Sequence, residues 1–163
     1  MKRLLVVYHS LTGGTRQMVD ALAAGAADSG EIAPCVRHAP AAEPDDVLAH
    51  DAYVFATPEN LAAISGLMKD FFDRCYYPAL GRIEGRPYAT LICAGSDGQN
   101  AARQIERIAT GWRLRAVAQP IIVCTHAQTA EAILAPKTIR AADLERCREL
   151  GAALAGGLAL GIF

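Results

Sequence analysis

A chain of 163 residues, 52% hydrophobic and 20% charged, has the size of one domain at roughly 150 residues each, and a domain of that size folds without disulfide or metal staples. Its 16 Lys and Arg against 17 Asp and Glu leave a net charge of -1, which argues against the basic footprint of non-specific nucleic-acid binding and against a solvated acidic tail. The five cysteines (Cys35, Cys75, Cys93, Cys124, Cys147) contain no C-x-x-C pair, so we expect reduced thiols in a reducing compartment and no disulfide framework, zinc site or dithiol motif.

Leu4-Leu5-Val6-Val7-Tyr8 is a continuous apolar run, the pattern of a strand covered on both faces. It stops at His9-Ser10, short of the roughly 7–15 residues of a secretory h-region. Met18, Val19, Leu22, Ala23 and Ala26 recur at helical spacing, and a weaker strand-like run follows from Ile32 to Arg37. The acidic segment Glu43 to His50 leads into a third strand, Ala52 to Ala56, and a helix near Ser65 to Cys75 carries Leu67, Met68, Phe71 and Phe72. Pro87 opens a fourth strand, Tyr88 to Ala94; helical spacing returns at Ala101, Ile105, Ile108 and Ala109. Leu114 to Cys124 is the fifth strand, and Leu144, Cys147, Leu150 and Leu154 mark a closing helix. The uncharged tail from Gly151 to Phe163 is shorter than the ~20 residues of a membrane span. A cytoplasmic protein, with residues 1–163 as a single domain, is the expectation.

The alternation of strand and helix predicts an α/β fold: a doubly wound parallel sheet with helices on both faces and right-handed crossovers. Proline cannot donate to a ladder and is confined to edges, strand starts and bulges. Pro34 and Pro120 fall in the second and fifth strands, which makes those two the edges and the order 2-1-3-4-5. That order places a ligand crevice at the carboxyl ends of strands 1 and 3.

Three loops meet there. The first, Ser10-Leu11-Thr12-Gly13-Gly14-Thr15, sets hydroxyls and paired glycines between a buried strand and a helix amino terminus, where free N–H groups and the helix dipole favour an anion. An ordinary strand-to-helix turn with a threonine cap uses the same residue types. The loop matches neither G-x-G-x-x-G nor G-x-x-x-x-G-K-[ST], and Arg37-His38 at the end of strand 2 offers no carboxylate to a ribose. A tightly held dinucleotide and a nucleotide triphosphatase are therefore disfavoured. His9-Ser10 stands where a phosphorelay receiver needs acids. The second loop is Thr57-Pro58-Glu59-Asn60-Leu61 and the third Gly95-Ser96-Asp97-Gly98, continuing to Asn100. Together the three suit a mononucleotide with a planar ring.

Loop 1, Pro58-Glu59-Asn60 and the helix Ser65-Gly66-Leu67-Met68-Lys69-Asp70-Phe71-Phe72-Asp73-Arg74 resemble the flavodoxin-like NAD(P)H-dependent FMN reductase and quinone reductase superfamily, from about Arg3 to Val123. The resemblance implies a flavodoxin-like five-stranded sheet, FMN as cofactor and NAD(P)H as co-substrate. It also implies that Ser10, Leu11, Thr12, Gly13, Gly14 and Thr15 wrap the FMN phosphate. Thr57, Pro58, Glu59, Asn60 and Leu61 would edge the isoalloxazine ring, and Gly95, Ser96, Asp97 and Gly98 would contact its pyrimidine end, where backbone N–H groups could stabilise the charge of reduction. No side chain is expected to act as acid or base, because the flavin carries the chemistry. The ring loops contain no Trp, Tyr or Phe and the net charge is near zero, unlike many acidic flavodoxins that sandwich the ring between aromatics. An open ring face tilts the reading toward a reductase passing electrons to a quinone, flavin or other small acceptor. The alternative is a flavodoxin-type electron carrier with no NAD(P)H turnover of its own. Assembly into a homodimer or homotetramer is expected by the same analogy, with no metal, nucleic-acid or membrane partner.

Other residues receive plain roles. Lys69–Asp73 and Asp70–Arg74 are i,i+4 ion pairs, Phe71 and Phe72 are core, and Trp112 packs. Arg103, Arg107, Arg113 and Arg115 are surface. His126 lies on the crevice side after the fifth strand, and Tyr76-Tyr77-Pro78 ends a helix.

Overall fold

The computed structural model describes residues 2–163. In chain order the elements are β1 (Leu4–Tyr8), α1 (Gly14–Asp28), β2 (Cys35–His38), a 3-10 turn (Ala39–Ala41), α2 (Pro44–Ala49), β3 (Ala52–Asn60), β4 (Ala63–Ile64), α3 (Gly66–Ala79), β5 (Pro87–Ala94), α4 (Gln99–Gly111), β6 (Arg115–Ala116), β7 (Ile121–Cys124), α5 (Ala130–Leu134) and α6 (Ala141–Ala159).

The sheet runs β2-β1-β3-β5, with β6 and β7 both on the far side of β5. Every pairing is parallel except the β3–β4 hairpin. This is the expected doubly wound order with three corrections. The fifth strand is broken into β6 and β7, and Pro120 lies in the gap, where its missing N–H removes no ladder bond. Pro34 precedes β2 rather than lying within it, so both prolines mark edges by starting or interrupting strands. The second loop is not a loop: β3 continues through Thr57–Asn60 and turns back as β4.

Alternation along the strands divides the interior into two cores. Leu5, Val7, Tyr53, Phe55 and Ile92 face α2, α3 and α4. Leu4, Val6, Tyr8, Val54 and Leu91 face α1 and α6. Period-2 alternation inside an unbroken apolar run is what covers both faces of the sheet. The first core is aromatic: Phe55 meets Phe72 edge-on at 5.1 Å, and Trp112, fully buried, stacks on Tyr76 at 5.7 Å and donates its indole N–H to the Tyr76 carbonyl at 2.9 Å. The expected ion pairs on α3 form, Lys69–Asp73 at 2.6 Å and Asp70–Arg74 at 2.8 Å.

The second core depends on a close helix crossing. A Cβ on Gly25 would overlap the Arg148 carbonyl and one on Gly151 the Leu22 carbonyl, so α1 and α6 meet backbone to backbone. On the other face, Arg86 closes the end of α2. Its Nη1 donates to the carbonyls of Leu48 at 3.1 Å and His50 at 2.5 Å and to the Tyr53 hydroxyl at 2.9 Å. Burial pushes the Tyr53 hydroxyl up to about 12, with Arg86 opposing, so it stays a donor to Val47 and His50.

Candidate functional site

At the carboxyl end of β1 the His9 amide extends the pairing to the Ala56 carbonyl at 3.0 Å, and the chain then turns through Gly13 (φ 90°) into α1. The Ser10 hydroxyl oxygen accepts the Gly13 and Arg16 amides at 3.2 and 3.3 Å, folding the loop around itself. Among the described residues, the amides of Leu11, Thr12, Gly14 and Thr15 have no protein acceptor. Gly13, the residue before α1, offers no side-chain cap, the first turn holds no acid, and Ser10 rather than a threonine takes the Arg16 amide, so the threonine-capped turn is not what forms. The Thr15 hydroxyl is 1% exposed and without a partner, an arrangement that costs free energy unless something else bonds to it. Gly14 admits this approach: a Cβ there would stand 2.5 Å from the Cys93 Sγ. A curl of free amides, two of them (Gly14 and Thr15) in the first turn of α1, and an orphaned buried hydroxyl form a receptor for an anionic headgroup. The adjoining Arg16 is engaged elsewhere, with Asp20 at 2.7 Å and the Tyr8 hydroxyl at 2.7 Å.

The hairpin that replaces the second loop turns on Leu61 (φ 49°) and Ala62 (φ 61°). Two successive positive φ values suit the strand twist but normally call for Asn or Gly, and contacts from α4 hold them here. The Asn100 side-chain amide donates to the Ala62 carbonyl at 2.5 Å, and Gln104 Oε1 accepts the Ile64 amide at 2.8 Å. Glu59 reaches the start of α4, accepting the Gly98 and Ala101 amides at 2.9 and 3.1 Å. Thr57 is fully buried; its hydroxyl donates to the Pro58 carbonyl and accepts the Ser65 amide.

These elements surround one cleft. Of the residues singled out in the sequence, Ser10, Leu11, Thr12, Gly14, Thr15, Pro58, Glu59, Asn60 and Gly95 line it. Gly13, Thr57, Leu61, Ser96, Asp97 and Gly98 do not. Gly13 and Gly98 shape turns, Thr57 anchors the hairpin, Leu61 is its fully exposed tip, and Ser96 and Asp97 face solvent. The cleft encloses about 70 Å³, far below the roughly 300–1,000 Å³ of pockets that engulf a whole ligand. It is sized for a headgroup, with any ring lying against its open rim. No aromatic side chain lines it.

The remaining wall went unread in the sequence. Cys93 and Ala94 come from β5, and Thr125, Ala127, Ile133 and Lys137 from the strap between β7 and α6. Burial pushes the Cys93 thiol up to about 11, against the opposing pull of Lys137, so it stays protonated. Gln17 pins the strap to the first loop: its amide donates to the carbonyls of Gly13 at 3.0 Å and Lys137 at 2.7 Å and accepts the Ile139 amide at 3.0 Å. The Lys137 amide adds a bond to the Thr12 carbonyl at 2.9 Å, while its ammonium is spent on the carbonyls of Ala132, Ile133 and Ala135. α5 is too short to leave a periodic signal. Tyr76 lies against Trp112 at the far end of α3, and His126 lines a separate small hollow with Arg140 and Asp143. Beside the site His9 is 9% exposed, its Nδ1 lacks a partner, and burial followed by the neighbouring His38 lowers its pKa. Among the described residues no cluster could hold a metal ion and no helix is long and apolar enough to cross a membrane.

Comparison with known proteins places this geometry among relatives. The profile of the family described as NADPH-dependent FMN reductase matches residues 35–129, more than half of the chain. An NAD(P)H dehydrogenase (quinone) of Acidithiobacillus ferrooxidans is 35% identical over 94 residues, covering 45% of this chain and 47% of its own. A flavodoxin of Aquifex aeolicus is 31% identical over 98 residues, covering 60% and 53%. The chain thus spans about half the length of these curated relatives. Among solved structures, a flavodoxin from the domain Archaea superposes with a TM-score of 0.76 at 18% identity over 96% of this chain and 98% of that one. A flavodoxin, WrbA-like protein from Agrobacterium tumefaciens superposes with a TM-score of 0.72 at 20% identity over 99% of both chains. At that identity the two structures establish a flavodoxin-like fold.

Proposed function

The chain belongs to the NADPH-dependent FMN reductase family, and on that premise we propose that it is an FMN-dependent oxidoreductase that takes electrons from NAD(P)H and passes them to a quinone, a flavin or another small acceptor. The observation that carries the reading is the first loop, where free amides and the orphaned Thr15 hydroxyl converge at the start of α1. The residues fit a phosphate monoester: charge-assisted bonds of about 1.5–3 kcal/mol each replace a lysine clamp.

In this reading Ser10, Leu11, Thr12, Gly14 and Thr15 hold the phosphate. The β3–β4 hairpin and Gly95 edge the ring, whose pyrimidine end lies toward Gly95–Gly98. Bound there, FMN would supply the hydride and electron chemistry. The protein binds the headgroup, orients the ring and leaves a face open, since no Trp, Tyr or Phe lines the cleft. An uncovered face suits a nicotinamide or a flat acceptor, which favours turnover over simple carriage.

The test is steady-state oxidation of NADH and NADPH by FMN-loaded protein with a soluble quinone. Turnover that requires FMN is the expected result. Protein that holds FMN yet consumes neither nucleotide, and works only beside a separate reductase, is a carrier, and the reductase proposal then fails.

A further inference from the structure

Two helix amino termini face the cleft, and at each the amide just before the helix and the third helical amide are taken by one side chain: Gly13 and Arg16 by the Ser10 hydroxyl at α1, Gly98 and Ala101 by the Glu59 carboxylate at α4. They differ in what does so: at α1 a neutral hydroxyl from the loop that leads into the helix, at α4 a carboxylate from another strand. α4 has no acid in its own first turn and no side-chain cap from Gly98. Glu59 supplies the cap from β3, one residue beyond that strand's last pair with β5, its two oxygens taking one amide each, Gly98 and Ala101. This is the sole direct bond from the cleft-lining part of the hairpin to the third loop among the described residues, since Asn100 and Gln104 reach the turn and β4 instead.

We propose that Glu59 is a positioning residue that clasps the two ring-side segments together and, by placing a fixed negative charge in the cleft wall, makes the reduced cofactor the less favoured form. The proposal rests on the FMN reading above and deepens it. Reduction of a flavin leaves negative charge on its pyrimidine edge. Amides at the start of a helix would stabilise that charge, but those of Gly98 and Ala101 are spent on a carboxylate. Two effects therefore act in the same direction: a like charge stands in the wall, and two donors are withdrawn. The outcome is a cofactor poised to hand electrons on. The Gly98 amide, one of the third-loop donors expected to meet the reduced ring, is engaged by Glu59.

The experiment has an apoprotein arm and a holoprotein arm. In apoprotein, amide exchange followed by NMR should find Gly98 and Ala101 protected, and at least about tenfold faster exchange in Glu59→Gln. In holoprotein, dye-equilibrated reduction should give Glu59→Gln a higher potential. A tenfold gain in relative affinity for reduced over oxidised FMN corresponds to about 30 mV for a two-electron couple. Glu59→Asp, which keeps the charge, should stay nearer the wild-type potential than Glu59→Gln does. A Glu59→Gln potential equal to or below wild type overturns the charge effect, and unchanged amide exchange overturns the clasp. Wild-type protein that takes up no FMN overturns the cofactor reading and the potential claim together, while amide exchange still decides the clasp.

Discussion

Thr15 carries an unusual burden for so small a side chain. A buried hydroxyl with no partner costs about 1–3 kcal/mol, and nothing in the folded protein returns it. Thr15→Val keeps the shape and removes the polar atom, so apoprotein should melt at the same temperature or higher while FMN binds about 10–100-fold more weakly, the worth of one charge-assisted bond. Calorimetric melting and quenching of flavin fluorescence check the two halves; loss of stability with affinity unchanged would make Thr15 a packing residue. His9 gives the pH dependence. Its folded pKa is lowered by burial and by His38, so as pH falls through the ordinary histidine value of about 6.5 the unfolded chain protonates first. Stability is therefore full above that value, declines below it and levels off beneath the folded pKa. His9→Asn should flatten the fall in melting temperature between about pH 7.5 and 5.5, and an unchanged slope would show that other groups set it.

At the scale of elements, packing across the sheet explains what local pattern could not. The α1–α6 crossing needs both glycines, because a methyl at either would strike the opposing backbone. Gly151→Ala should cost about 1–3 kcal/mol as overpacking, seen as a lower urea midpoint. Gly156→Ala, five residues on in the same helix with nothing within 4 Å of the new methyl, should gain up to about 1 kcal/mol from helix propensity. Equal effects at both positions would contradict the crossing. Helices and strands with long apolar runs were legible in the sequence because their own side chains announce their period. The hairpin was not: Leu61-Ala62 lacks turn chemistry, and its positive φ angles are held by Asn100 and Gln104 from a helix some 40 residues away. Arg86 and Gln17 were silent for the same reason, since each acts on carbonyls or amides contributed by distant segments.

For the whole molecule, the two cores have different tasks. The aromatic core fixes α3 and α4, and through Glu59 the hairpin and third loop; the aliphatic core fixes α1 and, through Gln17, the strap. The cleft lies where the two meet, at the carboxyl ends of β1, β3 and β5, the place where strand order reverses and α/β sheets bind ligands. That location followed from strand order and two prolines, and nine of the fifteen expected residues reach it. The strap and the capping role of Glu59 depend on tertiary contacts that no local spacing encodes. The headgroup nest, more than the ring, confers recognition in this molecule. Titration of apoprotein with FMN and with riboflavin, which differ only by the phosphate, should show at least about a hundredfold preference for FMN, the worth of two charge-assisted bonds; equal affinity for the two would mean that the nest does not select its ligand.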